Sequence, residues 1–108
     1  MDTASVQEAA AAAFRGETVI DVRTALEFGT GHIPHAVLMT LDTVPQRLAE
    51  IPRRHPVYVM CESGARAFQV CGYLDQHGYR SIHVRGGMAA WRAAGLPMRT
   101  ATLAGASA

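Results

Sequence analysis

Lysine is absent from this chain of 108 residues, and all ten of its basic residues are arginine. The absence excludes enzymes that form a Schiff base through lysine and enzymes that use lysine as a general base. It also excludes the Walker-type phosphate loop, because that loop places a lysine beside the phosphates. Any chemistry that the chain performs therefore depends on other nucleophiles and bases.

The chain also has few cysteines, a small net charge and no long apolar run. Two cysteines are too few for a disulfide scaffold, and a formal net charge of +1 argues against a broad surface for nucleic acid. No apolar run approaches the roughly 20 residues needed to cross a bilayer. The opening stretch "MDTASVQEA" lacks the basic and apolar regions of a signal peptide. We expect a cytoplasmic protein with no nucleic-acid or membrane partner.

The composition is typical of one globular domain. Hydrophobic residues make up 49% of the chain and charged residues 18%, and 108 residues suffice for one core but not for two. We therefore expect a single domain over residues 1–108, with its core at about 5–97. The end of the chain is rich in small, unpatterned residues, and we expect 98–108 to be a frayed tail.

Four short segments rich in apolar residues predict strands. They are "TVID" (18–21), "VLM" (37–39), "VYVM" (57–60) and "SIHV" (81–84). Because the segments are largely apolar instead of alternating, we expect them to be buried on both faces of a sheet. Burial on both faces is typical of parallel strands.

Helical patterns separate the predicted strands. Capping boxes that begin at Ser5 and Thr24 predict the first two helices. Three more are predicted from Asp42 or Thr43 through about Glu50, from Arg66 to Gly78, and over "GGMAAWRAAG" (86–95). The alternation predicts an α/β fold of three layers, in which helices flank both faces of a mostly parallel sheet.

The segment "CESGAR" (61–66) lies where the strand 57–60 turns into a helix. A tight turn of this kind directs successive backbone N–H groups into its own hollow, and the helix N-terminus adds partial positive charge. Gly64 can adopt the positive φ that the turn needs, and Arg66 adds a planar cation. We expect the Cys61 thiol beside this hollow to be present largely as thiolate. The interpretation requires that solvent can reach the sulfur.

Three segments resemble the rhodanese family of single-domain sulfurtransferases. The loop 61–66 is similar to the family's active loop. "VIDVRTALEFGTGHIPHAV" (19–37) is similar to its first signature, and "GGMAAWRAAGLP" (86–97) to its C-terminal one. Together they span residues 18–97 in the family's order. The resemblance implies a rhodanese-like fold and a catalytic cysteine, with the rest of the loop binding substrate. These residues are Cys61 as nucleophile and Glu62, Ser63, Gly64, Ala65 and Arg66 as the substrate-binding loop.

The resemblance also implies a reaction. The thiolate of Cys61 would take the outer sulfur of a donor, either thiosulfate or a persulfide, and hold it as a persulfide. It would then pass that sulfur to cyanide or to a thiol. No metal and no organic cofactor is implied. A carrier in a larger sulfur relay, which would also bind a protein partner, stays open as a related interpretation.

Two positions depart from the family pattern. Glu62 stands where relatives that use thiosulfate often have a basic residue, and a carboxylate there should repel a dianionic donor. We therefore expect slow turnover of thiosulfate, and a persulfide or another thiol as the better donor. Ala67 stands where a serine is common, but the backbone N–H remains.

Two other functions are compatible with part of the pattern. A cysteine-dependent phosphatase also pairs a loop thiolate with arginine, but it places one more residue between them than the four found here. A non-catalytic rhodanese-like module for docking or regulation commonly lacks the cysteine, which this chain retains. Both remain alternatives to the sulfurtransferase.

Other reactive side chains are better explained by structure. Cys71 lies on the apolar stripe of its predicted helix, so we expect it in the core. Asp21 and Arg23 are expected to form a structural charge pair. His32 and His35 share a loop that offers no further metal ligands, and His32 is expected to lock that loop by a hydrogen bond.

Overall fold

A five-stranded parallel sheet organises the chain. The structure, a computed structural model, describes residues 1–100. The strands are β1 (Asp2–Ala4), β2 (Val19–Asp21), β3 (Val37–Leu38), β4 (Val57–Met60) and β5 (Ser81–Val84). Their order across the sheet is β1-β5-β4-β2-β3, and every pair is parallel. The central strand β4 therefore has a neighbour on each side, and its carboxyl end lies in the middle of one sheet edge.

Among the described residues, three α-helices connect strands and a fourth follows β5. They are α1 (Val6–Phe14), α2 (Ala25–Thr30), α3 (Ala65–Gln76) and α4 (Gly87–Ala93). Both predicted capping boxes are present: Ser5 with Glu8 begins α1, and Thr24 with Glu27 begins α2. In each box the cap hydroxyl and the carboxylate three residues later satisfy two backbone N–H groups of the first turn.

The sheet separates two hydrophobic clusters, which confirms the three-layer fold. Val57 and Val59 of β4 face a cluster that contains the apolar stripe of α3. Tyr58 and Met60 face the opposite cluster, which contains the inner residues of α1 and α4. This division follows from the alternation of side chains along a strand. Trp91 of α4 lies in the second cluster, with 1% of its surface exposed.

Two elements differ from the sequence-based predictions. The helix expected from about residue 42 through Glu50 consists of two 3₁₀ segments, Leu41–Thr43 and Pro45–Glu50. The interruption lies at Arg47, which has a non-helical φ of −114° and whose guanidinium donates to the carbonyl of Leu38. The edge strand β1 was not predicted, because its three residues carry no pattern and become a strand only by pairing with β5.

Arg99 pairs with the loop at His32. The N–H of Arg99 donates to the carbonyl of His32 over 2.9 Å, and the N–H of His32 donates to the carbonyl of Arg99 over 2.8 Å. The predicted domain bounds and the frayed tail over 98–108 stay predictions, and residues 101–108 lie outside the described residues. Within 1–100, no helix combines the length and apolarity needed to span a membrane.

Candidate active site

Cys61 directly follows β4 at the carboxyl edge of the sheet and precedes α3. Open parallel sheets bind ligands at this edge, because the loops that leave neighbouring strands meet there. The Sγ atom of Cys61 accepts hydrogen bonds from the backbone N–H groups of Gly64, over 3.0 Å, and of Ala67, over 3.2 Å. The loop thus directs two amide donors at the sulfur, as its sequence predicts.

Gly64 allows the loop to curl into the helix. It has a φ of +112° and stands immediately before α3, whose first residue is Ala65. Its carbonyl accepts a hydrogen bond from Nε2 of His83 over 2.8 Å. The N–H of Gly64 thus donates to the sulfur of Cys61, and its carbonyl accepts from His83 of β5. Sequence reasoning missed the role of His83, because nothing local in "SIHV" connects it with residue 64.

The start of α4 holds the loop from the other side. The N–H of Met88 donates to the carbonyl of Cys61 over 2.8 Å, and the N–H of Ala89 donates to that of Glu62 over 2.9 Å. These bonds draw the loop carbonyls toward α4, which leaves the amides free to face the sulfur. Gly87 permits this close approach with a φ of +56°, since an added Cβ would overlap the carbonyl oxygen of Cys61. The adjacent glycines of "GGMAAW" were the signal for this contact.

Arg66 lies near the sulfur but is not a free cation. Its guanidinium donates to both carboxylate oxygens of Glu27 on α2, over 2.7 and 2.9 Å. Hydrogen bonding from Arg66 is the main reason that the pKa of Glu27 falls to about 2. The same bond raises the pKa of Arg66. The sequence indicates that Glu27 caps α2 and belongs to the first signature. It does not indicate the bond of Glu27 to Arg66 in the active loop.

Glu62 is directed toward two arginines. Its carboxylate accepts a hydrogen bond from Arg92 of α4 and lies 3.5 Å from Nη1 of Arg23. Arg23 is buried and also pairs with Asp21 over 2.8 Å, which confirms the expected structural charge pair. Arg92 is the third contributor to the site that sequence reasoning missed, after His83 and Glu27.

The remaining loop residues make less specific contributions. The side chains of Ser63 and Ala65 are exposed. Ala67 shows that the family's common serine is not needed for the amide contact, because its backbone N–H reaches the sulfur. The substrate-binding role of residues 62–66 stays a prediction.

Cys61 is buried, with 1% of its surface exposed. The expectation that solvent reaches its sulfur is therefore wrong for this conformation. The loop amides surround the sulfur, and the residue packs in one hydrophobic cluster with Ala67 and Val70. A surface cavity of about 440 Å³ adjoins the loop at Glu62. Its lining residues are Arg23, Leu26, Glu27, Thr30, Glu62 and Arg92.

Other candidates take the structural roles predicted for them. Cys71 is fully buried, and burial raises the pKa of its thiol to about 11. His32 forms a hydrogen bond through Nδ1 with the carbonyl of Phe28 and stacks on the Phe28 ring, which holds the loop. Within residues 1–100, no group of three or more His, Cys, Asp or Glu side chains is arranged to hold a metal ion.

The fold and the loop together define a class of protein: a parallel α/β domain with a cysteine at the end of its central strand, cradled by backbone amides. Residues 5–94 match the model of the rhodanese-like domain, and the chain belongs to the rhodanese-like family.

Similar proteins agree with this assignment. A sulfurtransferase of Allochromatium vinosum is 43% identical over 81 residues, which cover 74% of this chain and 76% of the relative. Thiosulfate sulfurtransferase GlpE of Tolumonas auensis is 34% identical over 82% of this chain and 85% of its own. The crystal structure of a rhodanese-like domain protein from Staphylococcus aureus superposes with a TM-score of 0.84 at 30% identity. It covers 94% of this chain and all of that one.

Proposed function

We propose that this protein is a rhodanese-type sulfurtransferase that carries sulfane sulfur as a persulfide on Cys61. The observation that carries the proposal is the pair of backbone N–H groups, from Gly64 and Ala67, that donate to the Cys61 sulfur. Donors placed in this way stabilise a sulfur anion more than a neutral thiol. Relatives named sulfurtransferase, at 43% and 37% identity, support the same conclusion.

The first half-reaction loads the cysteine, and it requires the loop to uncover Cys61, which is 1% exposed in this conformation. The thiolate of Cys61 attacks the outer sulfur of thiosulfate, a new S–S bond forms, and sulfite leaves with the electron pair of the broken bond. The second half-reaction unloads it: cyanide or a thiolate attacks the terminal sulfur, forms thiocyanate or a new persulfide, and releases the Cys61 thiolate. The covalent intermediate predicts ping-pong kinetics.

The loop amides have a defined part in both steps. In each step negative charge shifts from the attacking atom to the leaving group through the transferred sulfur. Amide dipoles that are already oriented toward the sulfur stabilise this charge without having to reorganise. Each step exchanges one bond to sulfur for another, so the scheme uses no metal and no organic cofactor.

Mass spectrometry of the intact protein tests the proposal. After incubation with thiosulfate or with cysteine persulfide, we expect the mass to increase by one sulfur atom and to return to its original value after cyanide is added. Sulfate, which has no sulfane sulfur, serves as the control and should leave the mass unchanged. If neither donor adds sulfur, the enzyme is ruled out and the non-catalytic docking module becomes the preferred function.

Glu62 leads to a prediction about the donor. Replacing Glu62 with lysine should raise kcat/KM for thiosulfate by about tenfold, because it removes the carboxylate that pairs with Arg92 and adds a positive charge to the loop. Steady-state formation of thiocyanate measures the effect. Glu17→Lys is the matched control, since Glu17 also pairs with an arginine, Arg15 over 2.7 Å, but precedes β2 at the opposite end of the sheet. An unchanged or lower value for Glu62→Lys contradicts the prediction.

Three predictions from the sequence extend beyond the chemistry of Cys61: a relay partner, the phosphatase alternative and the cellular location. A relay partner that supplies or receives the sulfur would have to reach the cavity beside Glu62. The phosphatase alternative predicts hydrolysis of an aryl phosphate in place of sulfur loading, and the two assays separate these functions. The cytoplasmic location stays a prediction.

A further inference from the structure

We propose that Arg92 is a latent anion-binding residue of this active site, that Glu62 keeps it neutralised, and that this pair selects persulfides carried on thiols over dianionic donors. The inference rests on the proposed function and adds to it a donor class and two specificity-determining residues.

The first observation is the position of the Glu62 carboxylate. It accepts a hydrogen bond from Arg92 and lies 3.5 Å from Nη1 of Arg23. The side chains of Glu62 and Arg92 are 35% and 41% exposed, whereas that of Arg23 is 1% exposed. Glu62 and Arg92 both line the cavity beside the loop. Arg92 is therefore the partner of Glu62 that an incoming anion could reach.

The second observation is that the arginines at this end of the site are already paired with carboxylates. Arg23 and Arg92, which line the cavity, pair with Asp21 and Glu62. Arg66, beside the loop, gives two hydrogen bonds to Glu27. Among residues 1–100, a thiosulfate dianion in the cavity therefore meets no uncompensated arginine, and it must displace Glu62 from Arg92 to gain one.

A persulfide carried on a thiol does not need that cation. In the transfer from R–S–SH, the Cys61 thiolate forms a bond to the outer sulfur, the donor S–S bond breaks, and R–S⁻ leaves with the electron pair while the proton stays on the transferred sulfur. The donor reacts in its protonated form, which has no charge on the outer sulfur, and its ionised form has a single negative charge there, whereas thiosulfate is a dianion. Its organic part can contact Leu26, which lines the same cavity and has 84% of its surface exposed.

Two explanations of Glu62 make opposite predictions. If Glu62 acts by its own negative charge, removing Arg92 unmasks that charge, and neutralising Glu62 then helps thiosulfate at least as much as before. If Glu62 acts by occupying Arg92, the benefit of neutralising Glu62 disappears once Arg92 is gone. A double-mutant cycle distinguishes the two.

The experiment compares wild type, Glu62→Gln, Arg92→Gln and the double variant, with thermal unfolding to verify the fold. We expect Glu62→Gln alone to raise kcat/KM for thiosulfate about tenfold, mainly through a lower KM, because freed Arg92 binds the donor before reaction. In the Arg92→Gln background the gain should stay below about twofold. With cysteine persulfide the gain should be much smaller, so that Glu62→Gln shifts the ratio of the two kcat/KM values at least about fivefold toward thiosulfate.

The matched control is Glu17→Gln, which neutralises a paired carboxylate away from the site. It should change neither donor's kinetics. A gain for thiosulfate above about twofold in the Arg92→Gln background overturns the proposal, as does the absence of a gain in Glu62→Gln alone. Failure of the proposed function looks different, because then neither donor adds sulfur to Cys61 in wild type or in any variant.

Discussion

Cys61→Ser is expected to abolish sulfur uptake from every donor. A serine oxygen cannot form the S–S bond that stores the transferred sulfur, so the covalent intermediate is lost completely. The fold should persist, because the serine hydroxyl is smaller than the thiol and can still accept from the N–H groups of Gly64 and Ala67. Mass spectrometry after thiosulfate or cysteine persulfide, together with the thiocyanate assay, measures the loss.

Cys71→Ala provides the control for this experiment. Cys71 is fully buried in the core, and burial raises its pKa to about 11, so near neutral pH it is a protonated thiol. The Cys71→Ala protein should therefore load one sulfur atom, like wild type, with only a small loss of stability. Sulfur found on the Cys61→Ser protein, or a loss of loading in Cys71→Ala, contradicts the assignment of Cys61 as the carrier.

Gly87→Ala is expected to reduce the rate of sulfur loading by at least about tenfold and to destabilise the fold. Its φ of +56° is unfavourable for alanine, and the added Cβ would overlap the carbonyl oxygen of Cys61 and lie 2.6 Å from that of Glu62. To relieve this overlap, α4 must move away from the loop. The two amide bonds that orient the loop carbonyls would then be lost, and the sulfur cradle with them.

Gly95→Ala is the control that separates the effect of backbone strain from the effect of steric overlap at Gly87. Gly95 has a φ of +67°, close to that of Gly87, but an added Cβ there would meet nothing within 4 Å. We expect it to lower the free energy of unfolding by about 1–2 kcal/mol and to leave sulfur loading unchanged. Thermal unfolding and the time course of loading measure both effects. Loading at the wild-type rate in Gly87→Ala would show that α4 does not position the loop.

Much of the fold was predictable because its signals are local. The capping boxes at Ser5 and Thr24 act within four residues, and both helices begin where these boxes predict. The four predicted strands are present, and β2 and β4 are buried as their apolar sequences indicate. The expected burial on both faces is wrong for β3, which lies at the sheet edge with 44% of Val37 exposed. Strand β1 and the 3₁₀ segment at Pro45–Glu50 escaped prediction, since each depends on a partner distant in sequence: β5 in the first case and the carbonyl of Leu38 in the second.

The candidate site likewise combines features that depend on local sequence with contacts that depend on the tertiary structure. The sequence by itself determined the strand-to-helix junction that holds Cys61, the positive φ at Gly64, and the amides around the sulfur, because these depend on the backbone of one short segment. Only the tertiary structure decided which charges surround it. Arg66 meets Glu27 across 39 residues of chain, and Arg92 meets Glu62 across 30, so each pair exists only after α2 and α4 have packed beside the loop. Packing also decided that the sulfur is covered, because exposure depends on every element around an atom and not on its neighbours along the chain.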